Sequence, residues 1–153
     1  MITPEYVRTM TVYNAQMNRR LYAAASRLAD LDRRRDRGAF WGSIHGTFCH
    51  LLWGDLVWME RLAGWQGPSV PLAQSAGLIA SFSELHAARE HTDVALIDWA
   101  VHIDVAWLAE DQTWFSGATR SEANRPRSLV LMHFFNHQTH HRGQAHAMLT
   151  AAG

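Results

Sequence analysis

Residues 39–63 read AFWGSIHGTFCHLLWGDLVWMERLA, a stretch that is apolar over most of its circumference when wound as a helix. Its densest stripe holds Trp41, Ile44, Phe48, Leu51, Leu52, Met59 and Leu62, with Asp55 set among them. Such a helix needs cover on nearly every side, which places it deep in a bundle.

Three further segments supply that cover. The first, about residues 4–30, opens on Thr3-Pro4-Glu5: a capping hydroxyl, a proline in the first turn and an acid at the positive end of the helix dipole. Tyr6, Met10, Tyr13, Met17, Leu21, Ala24 and Leu28 then recur at threes and fours. The run DRRRDRG, Asp32 to Gly38, reads as an exposed turn with a glycine stop. After the apolar helix, Gly64, Gly67, Pro68 and Pro71 open a long connection. A third helix spans about 82–109, with Leu85, Leu96, Trp99, Ile103 and Trp107 on one side. Residues 110–125 hold turn formers and little periodicity, and no strand is expected there. The last helix begins near Pro126 and runs almost to the C-terminus. The expected fold is all-α, a four-helix bundle forming one domain over 1–153. The short first link makes helices 1 and 2 antiparallel neighbours, and the long second connection permits a crossover.

Composition narrows the chemistry. The 14 basic and 14 acidic residues balance, so no net field draws in nucleic acid or an anionic membrane. All 14 basic residues are arginine, which excludes a Schiff-base lysine and a P-loop lysine. Cys49, the single cysteine, cannot form an internal disulfide or a multi-cysteine metal site and suits a reducing cytoplasm; it reads as a small core filler. The N-terminus lacks the apolar core of a leader and no run approaches transmembrane length, so a cytoplasmic protein is expected. Ten histidines and seven tryptophans stand out.

On the last helix, LVLMHFFNHQTHHRGQAHAML, positions four apart share nearly one face. Val130, Phe134, His137, His141 and Met148 form such a face, with Gln144 beside it. His133 and His140 fall at its edge, while Arg142 and His146 point to the opposite side. Two buried imidazoles each have a polar nitrogen to satisfy. A divalent metal does so, since imidazoles at i and i+4 can converge on one ion; hydrogen-bonded core histidines are the alternative. A third ligand must come from another helix: His50 or His45 first, then His86, His91 and His102. His50 has room beside it, at Gly46, Thr47 and Gly54, but lies off the densest apolar stripe and would face a side cleft. The last helix carries neither the carboxylates of a di-iron bundle nor an HExxH motif.

Asp55 either orients a metal-bound imidazole or pairs with Arg142 or Arg61 to hold helices in register, the second being preferred. Gln144 and Asn14 either contact metal-bound water or a substrate carbonyl, or bond between helices. No general base is identifiable, so the catalytic residues stay unassigned.

Three blocks carry a family resemblance. NHQTHHRGQ (Asn136 to Gln144), SIHGTFCHLLWGDLVWMERL (Ser43 to Leu62) and YNAQMNRRLY (Tyr13 to Tyr22) resemble the DinB family of damage-inducible, YfiT-like metalloenzymes at the right spacing along the whole chain. The resemblance implies an up-down-down-up bundle, with the crossover between the second and third long helices. It also implies one divalent transition metal, zinc or nickel first, held by His50, His137 and His141, with His45 as an accessory histidine. A homodimer is implied as well. Some relatives are thiol-dependent S-transferases or isomerases, which makes a thiol-dependent S-transferase acting on a small molecule the leading expectation, with a low-molecular-weight thiol as cosubstrate. A metal-dependent hydrolase using metal-bound hydroxide and a non-catalytic, metal-binding stress-response module are the alternatives.

Overall fold

A computed structural model describes residues 2–117 and 119–153. The long helices are α1 (Pro4–Ala25), α3 (Ile44–Ala63), α4 (Phe82–Val101) and α6 (Arg127–Ala152). Two short helices, α2 (Asp30–Arg34) and α5 (Val105–Ala109), and a 3-10 segment at Leu72–Gly77 lie in the connections. The strands β1 (Asp111–Ser116) and β2 (Ser121–Pro126) pair antiparallel, from Asp111 opposite Pro126 to Ser116 opposite Ser121.

Local chemistry sets the helix ends. Thr3 Oγ1 accepts from the Tyr6 amide at 3.1 Å, and Ser43 Oγ accepts from the Gly46 amide at 3.0 Å, so α1 and α3 each begin on a hydroxyl cap. At its other end α3 stops on Gly64, whose φ of 68° lies in the left-handed region that glycine adopts without strain.

Four expectations need correction. The fold is mostly helical, in keeping with an all-α bundle, but residues 111–126, where no strand is expected, form a small hairpin. Its half-exposed, polar strands give only a weak alternation. The second long helix starts at Ile44, since Ala39 and Gly42 close a tight bridge before it. The third breaks after Val101, where Asp104 accepts from the Trp107 amide at 2.7 Å and caps a separate turn. The first three residues of the DRRRDRG run are helical, because α2 covers Asp30–Arg34.

The core has three levels. One apolar cluster joins Val7, Met59, Leu96, Leu131 and Phe134; the other joins Tyr22, Phe48, Leu52, Leu85 and Met148. Between them along every long helix lies a buried polar layer. Asp55 pairs with Arg89 at 2.5 Å and accepts from Gln138 at 2.7 Å. Arg89 also reaches Asp93 at 2.8 Å, and Asn18 donates to Asp93 at 3.0 Å. Asn14 donates to Gln138 and accepts from Arg142. Burial alone would lower the Arg89 pKa, but the Asp55 and Asp93 carboxylates overturn that and raise it, so the guanidinium is held charged. The connection between α3 and α4 runs beside α3, tied by Trp53 Nε1 donating to the Val70 carbonyl at 2.8 Å. No helix among the described residues is long and apolar enough to cross a membrane.

Candidate metal centre

His50, His137 and His141 meet where α3 packs against α6. His50 stands on α3, and the other two stand one turn apart on α6. One ring nitrogen from each lies within 4.8 Å of the others. The Nε2 atoms of His50 and His137 are 3.1 Å apart. His50 and His141 are buried and His137 is partly exposed.

The rings are held from behind. Ser75 Oγ, in the 3-10 segment, lies 2.9 Å from His50 Nδ1, which leaves Nε2 turned toward His137. Gln144 Oε1 accepts from His141 Nδ1 at 2.8 Å, so the proton of a neutral His141 sits on Nδ1 and its Nε2 lone pair is free. Trp41 stacks on His50, with centroids 3.9 Å apart and planes at 21°. Gly54 makes room for His137: a Cβ there would lie 2.7 Å from His137 Cε1. A bulkier residue would push the ring out.

The environment keeps these imidazoles neutral. Burial, then the His137 and His141 charges, pushes the His50 pKa down to about 3. Burial, then His141, His133 and His140, pushes His137 down to about 4. His141 is lowered too, by burial, which outweighs the opposing Gln144 hydrogen bond, and then by His140. Neutral imidazole is the metal-ligating form. Bonds of about 2.0–2.1 Å in tetrahedral array put nitrogen ligands about 3.3–3.4 Å apart, so the 3.1 Å pair needs only slight spreading to hold an ion. The donor set suits zinc, nickel, copper or iron.

A cleft of about 710 Å³ runs along α3 from His50 and His137 to Trp58 and Arg61, walled by the connection at Val70–Leu72 and by Trp114 of β1. Its size falls in the range of small-molecule sites.

The other sequence candidates go elsewhere. His45 Nε2 contacts the Ile79 carbonyl at 2.9 Å, on the side of α3 facing Phe82. Asn14 bonds between helices, and Asp55 hydrogen-bonds no imidazole. The expected partners of Asp55, Arg142 and Arg61, are replaced by Arg89, which stands level with it on the adjacent α4. His86 stacks on Tyr22, away from the trio. Cys49 is buried, and desolvation raises its thiol pKa, as befits a core filler. Ser75, Arg89 and Gln138 were not singled out by the sequence, and Trp41 was placed only in an apolar stripe; a polar residue in an otherwise apolar helix stripe could have pointed to Arg89 and Gln138.

No curated protein and no solved structure matches the chain. The model of the DinB family matches residues 1–153, the whole chain. With that match and three histidines gathered from two helices, the chain belongs to the DinB family.

Proposed function

We propose that this protein is a metal-dependent enzyme in which His50, His137 and His141 hold one divalent transition ion, zinc or nickel, and which transfers a low-molecular-weight thiol to an electrophilic small molecule. The observation that carries the reading is the convergence of three neutral imidazoles within 4.8 Å of one another, two of which, His50 and His137, line an open cleft. A bound ion would supply Lewis acidity, lowering a thiol's pKa so that it is nucleophilic near neutral pH. The chain's own groups do the rest. Ser75 and Gln144 fix two ring orientations, Trp41 shields the buried face of His50, and the cleft walls seat the organic substrate.

The same reading includes an up-down-down-up bundle forming one domain. Supporting it, α1 and α6 pass from the Val7–Phe134 cluster to the Tyr22–Met148 cluster, whereas α3 and α4 pass the other way. A cytoplasmic homodimer without nucleic-acid or membrane partners completes it.

Metal analysis of the purified protein and of His137→Ala tests the site, and turnover of cysteine-type thiols with activated aryl halides and epoxides tests the reaction. Equal metal in wild type and variant removes the site assignment. Metal without turnover across the panel removes the thiol transferase and leaves a metal-dependent hydrolase, tested with activated esters, or a metal-binding stress-response module.

A further inference from the structure

Arg61 stands eleven residues beyond His50 on nearly the same face of α3, with Cα atoms about 16 Å apart along the helix. Both line the one cleft. The guanidinium lies 4.6 Å from the Trp58 ring centroid and 5.5 Å from that of Trp114, so two indoles fix it in place. No carboxylate stands within ion-pair distance of it among the described residues. The adjacent Glu60 lines the same cleft, but its carboxylate lies against Gly67 of the connection, where a Cβ would strike it, and forms no ion pair with Arg61. A half-buried, aromatic-braced guanidinium with unused donors offers a planar fork for a carboxylate. Between the two ends the walls are mostly apolar: Val57, Val70, Pro71 and Leu72.

We propose that Arg61, braced by Trp58 and Trp114, is the subsite that binds the carboxylate of an elongated small-molecule substrate whose reactive end lies at the histidines. The inference rests on the reading above for the place of reaction alone; carboxylate binding at Arg61 is measured without turnover. The carboxylate belongs either to the electrophile or to the thiol.

The test uses the protein as purified, with its metal content recorded, and reads tryptophan fluorescence and calorimetry. The probes are 5-phenylpentanoate and 6-mercaptohexanoate, each against its own carboxamide. Wild type is expected to bind at least one carboxylate about tenfold tighter than its amide. Arg61→Met, which keeps an apolar contact with the indoles, reduces that preference to within about twofold, and Arg61→Lys restores part of it. His137→Ala keeps the preference. Greater dependence on Arg61 for the phenyl probe assigns the carboxylate to the electrophile, and for the mercapto probe to the thiol. A wild type without preference overturns the proposal. So does a preference that survives in Arg61→Met but is lost in His137→Ala, because the carboxylate then goes to the metal. Failure of the metal reading shows separately, as wild-type protein without metal. Melting temperature confirms that each variant is folded.

Discussion

A Cβ on Gly54 would come within 2.7 Å of Cε1 and 3.2 Å of Nδ1 of His137, so the absence of a side chain on α3 sets the position of an imidazole on α6. Gly54→Ala therefore has two effects of opposite sign. Alanine favours the helix by about 1 kcal/mol over glycine in an unstrained interior. The ring it meets is the end of a side chain, so the ring moves and leaves its place opposite His50. The expected result is a melting temperature near wild type with metal affinity reduced at least about tenfold. Competition with a chromophoric chelator measures it, and unchanged affinity would mean that His137 does not hold the ion.

Ser75 and Gln144 act one bond further out. Ser75→Ala leaves the buried Nδ1 of His50 without its partner at 2.9 Å, and Gln144→Ala does the same for His141 at 2.8 Å. His50 then loses the contact that orients its ring, and His141 the contact that selects its tautomer. Loss of such supports weakens metal binding by about 10–100-fold. The check is zinc affinity for each variant, beside Ser83→Ala, an exposed serine on α4, as control. Variants that match the control would show that the rings are held by packing alone.

The helices were legible because their caps and periods are local: Thr3 and Gly64 mark ends that the structure keeps. The break before α5 was hidden because Trp99, Ile103 and Trp107 continue one helical period across it. The hairpin was hidden because Asp111–Ser116 is half exposed and its partner strand is polar. His137 and His141 could be paired by spacing on one helix. Adding His50 from another helix required the family resemblance, because adjacency and level are tertiary facts. The polar layer has a sequence trace: Asn14 and Asn18, Arg89 and Asp93, and Gln138 and Arg142 are each spaced four apart in helices with apolar faces. Which of them face each other depends on helix direction, and for that reason Asp55 was assigned the wrong arginine.

Acid should destabilise the metal-free protein through its site. An unfolded histidine takes up a proton near pH 6.5. In the folded protein His50 stays neutral down to about 3 and His137 down to about 4. Between these limits the unfolded chain binds more protons, so stability is lost as pH falls from about 6.5 toward 4; above about 6.5 these groups contribute no slope. Urea unfolding of chelator-treated protein between about pH 7 and about pH 4.5 measures this. His50→Leu/His137→Leu should flatten the dependence. An equal slope in wild type and variant would place its origin elsewhere.

The buried layer predicts an unequal response at the two ends of one ion pair. Arg89 neutralises both Asp55 and Asp93, so Arg89→Met strands two carboxylates and should cost about 3–5 kcal/mol. Asp55→Asn leaves Arg89 paired with Asp93 and keeps an oxygen that can accept from it, so its cost should be about 1–2 kcal/mol. Denaturant unfolding at neutral pH gives both values. Metal affinity supplies a second readout, because Asp55 bonds Arg89 and Gln138 and no imidazole. Affinity in Asp55→Asn should stay within about threefold of wild type, where removal of a carboxylate that orients a metal-bound ring would lower it about 10–100-fold. A large drop in affinity with little loss of stability would show that Asp55 serves the ion; the reverse pattern would show that it serves the bundle.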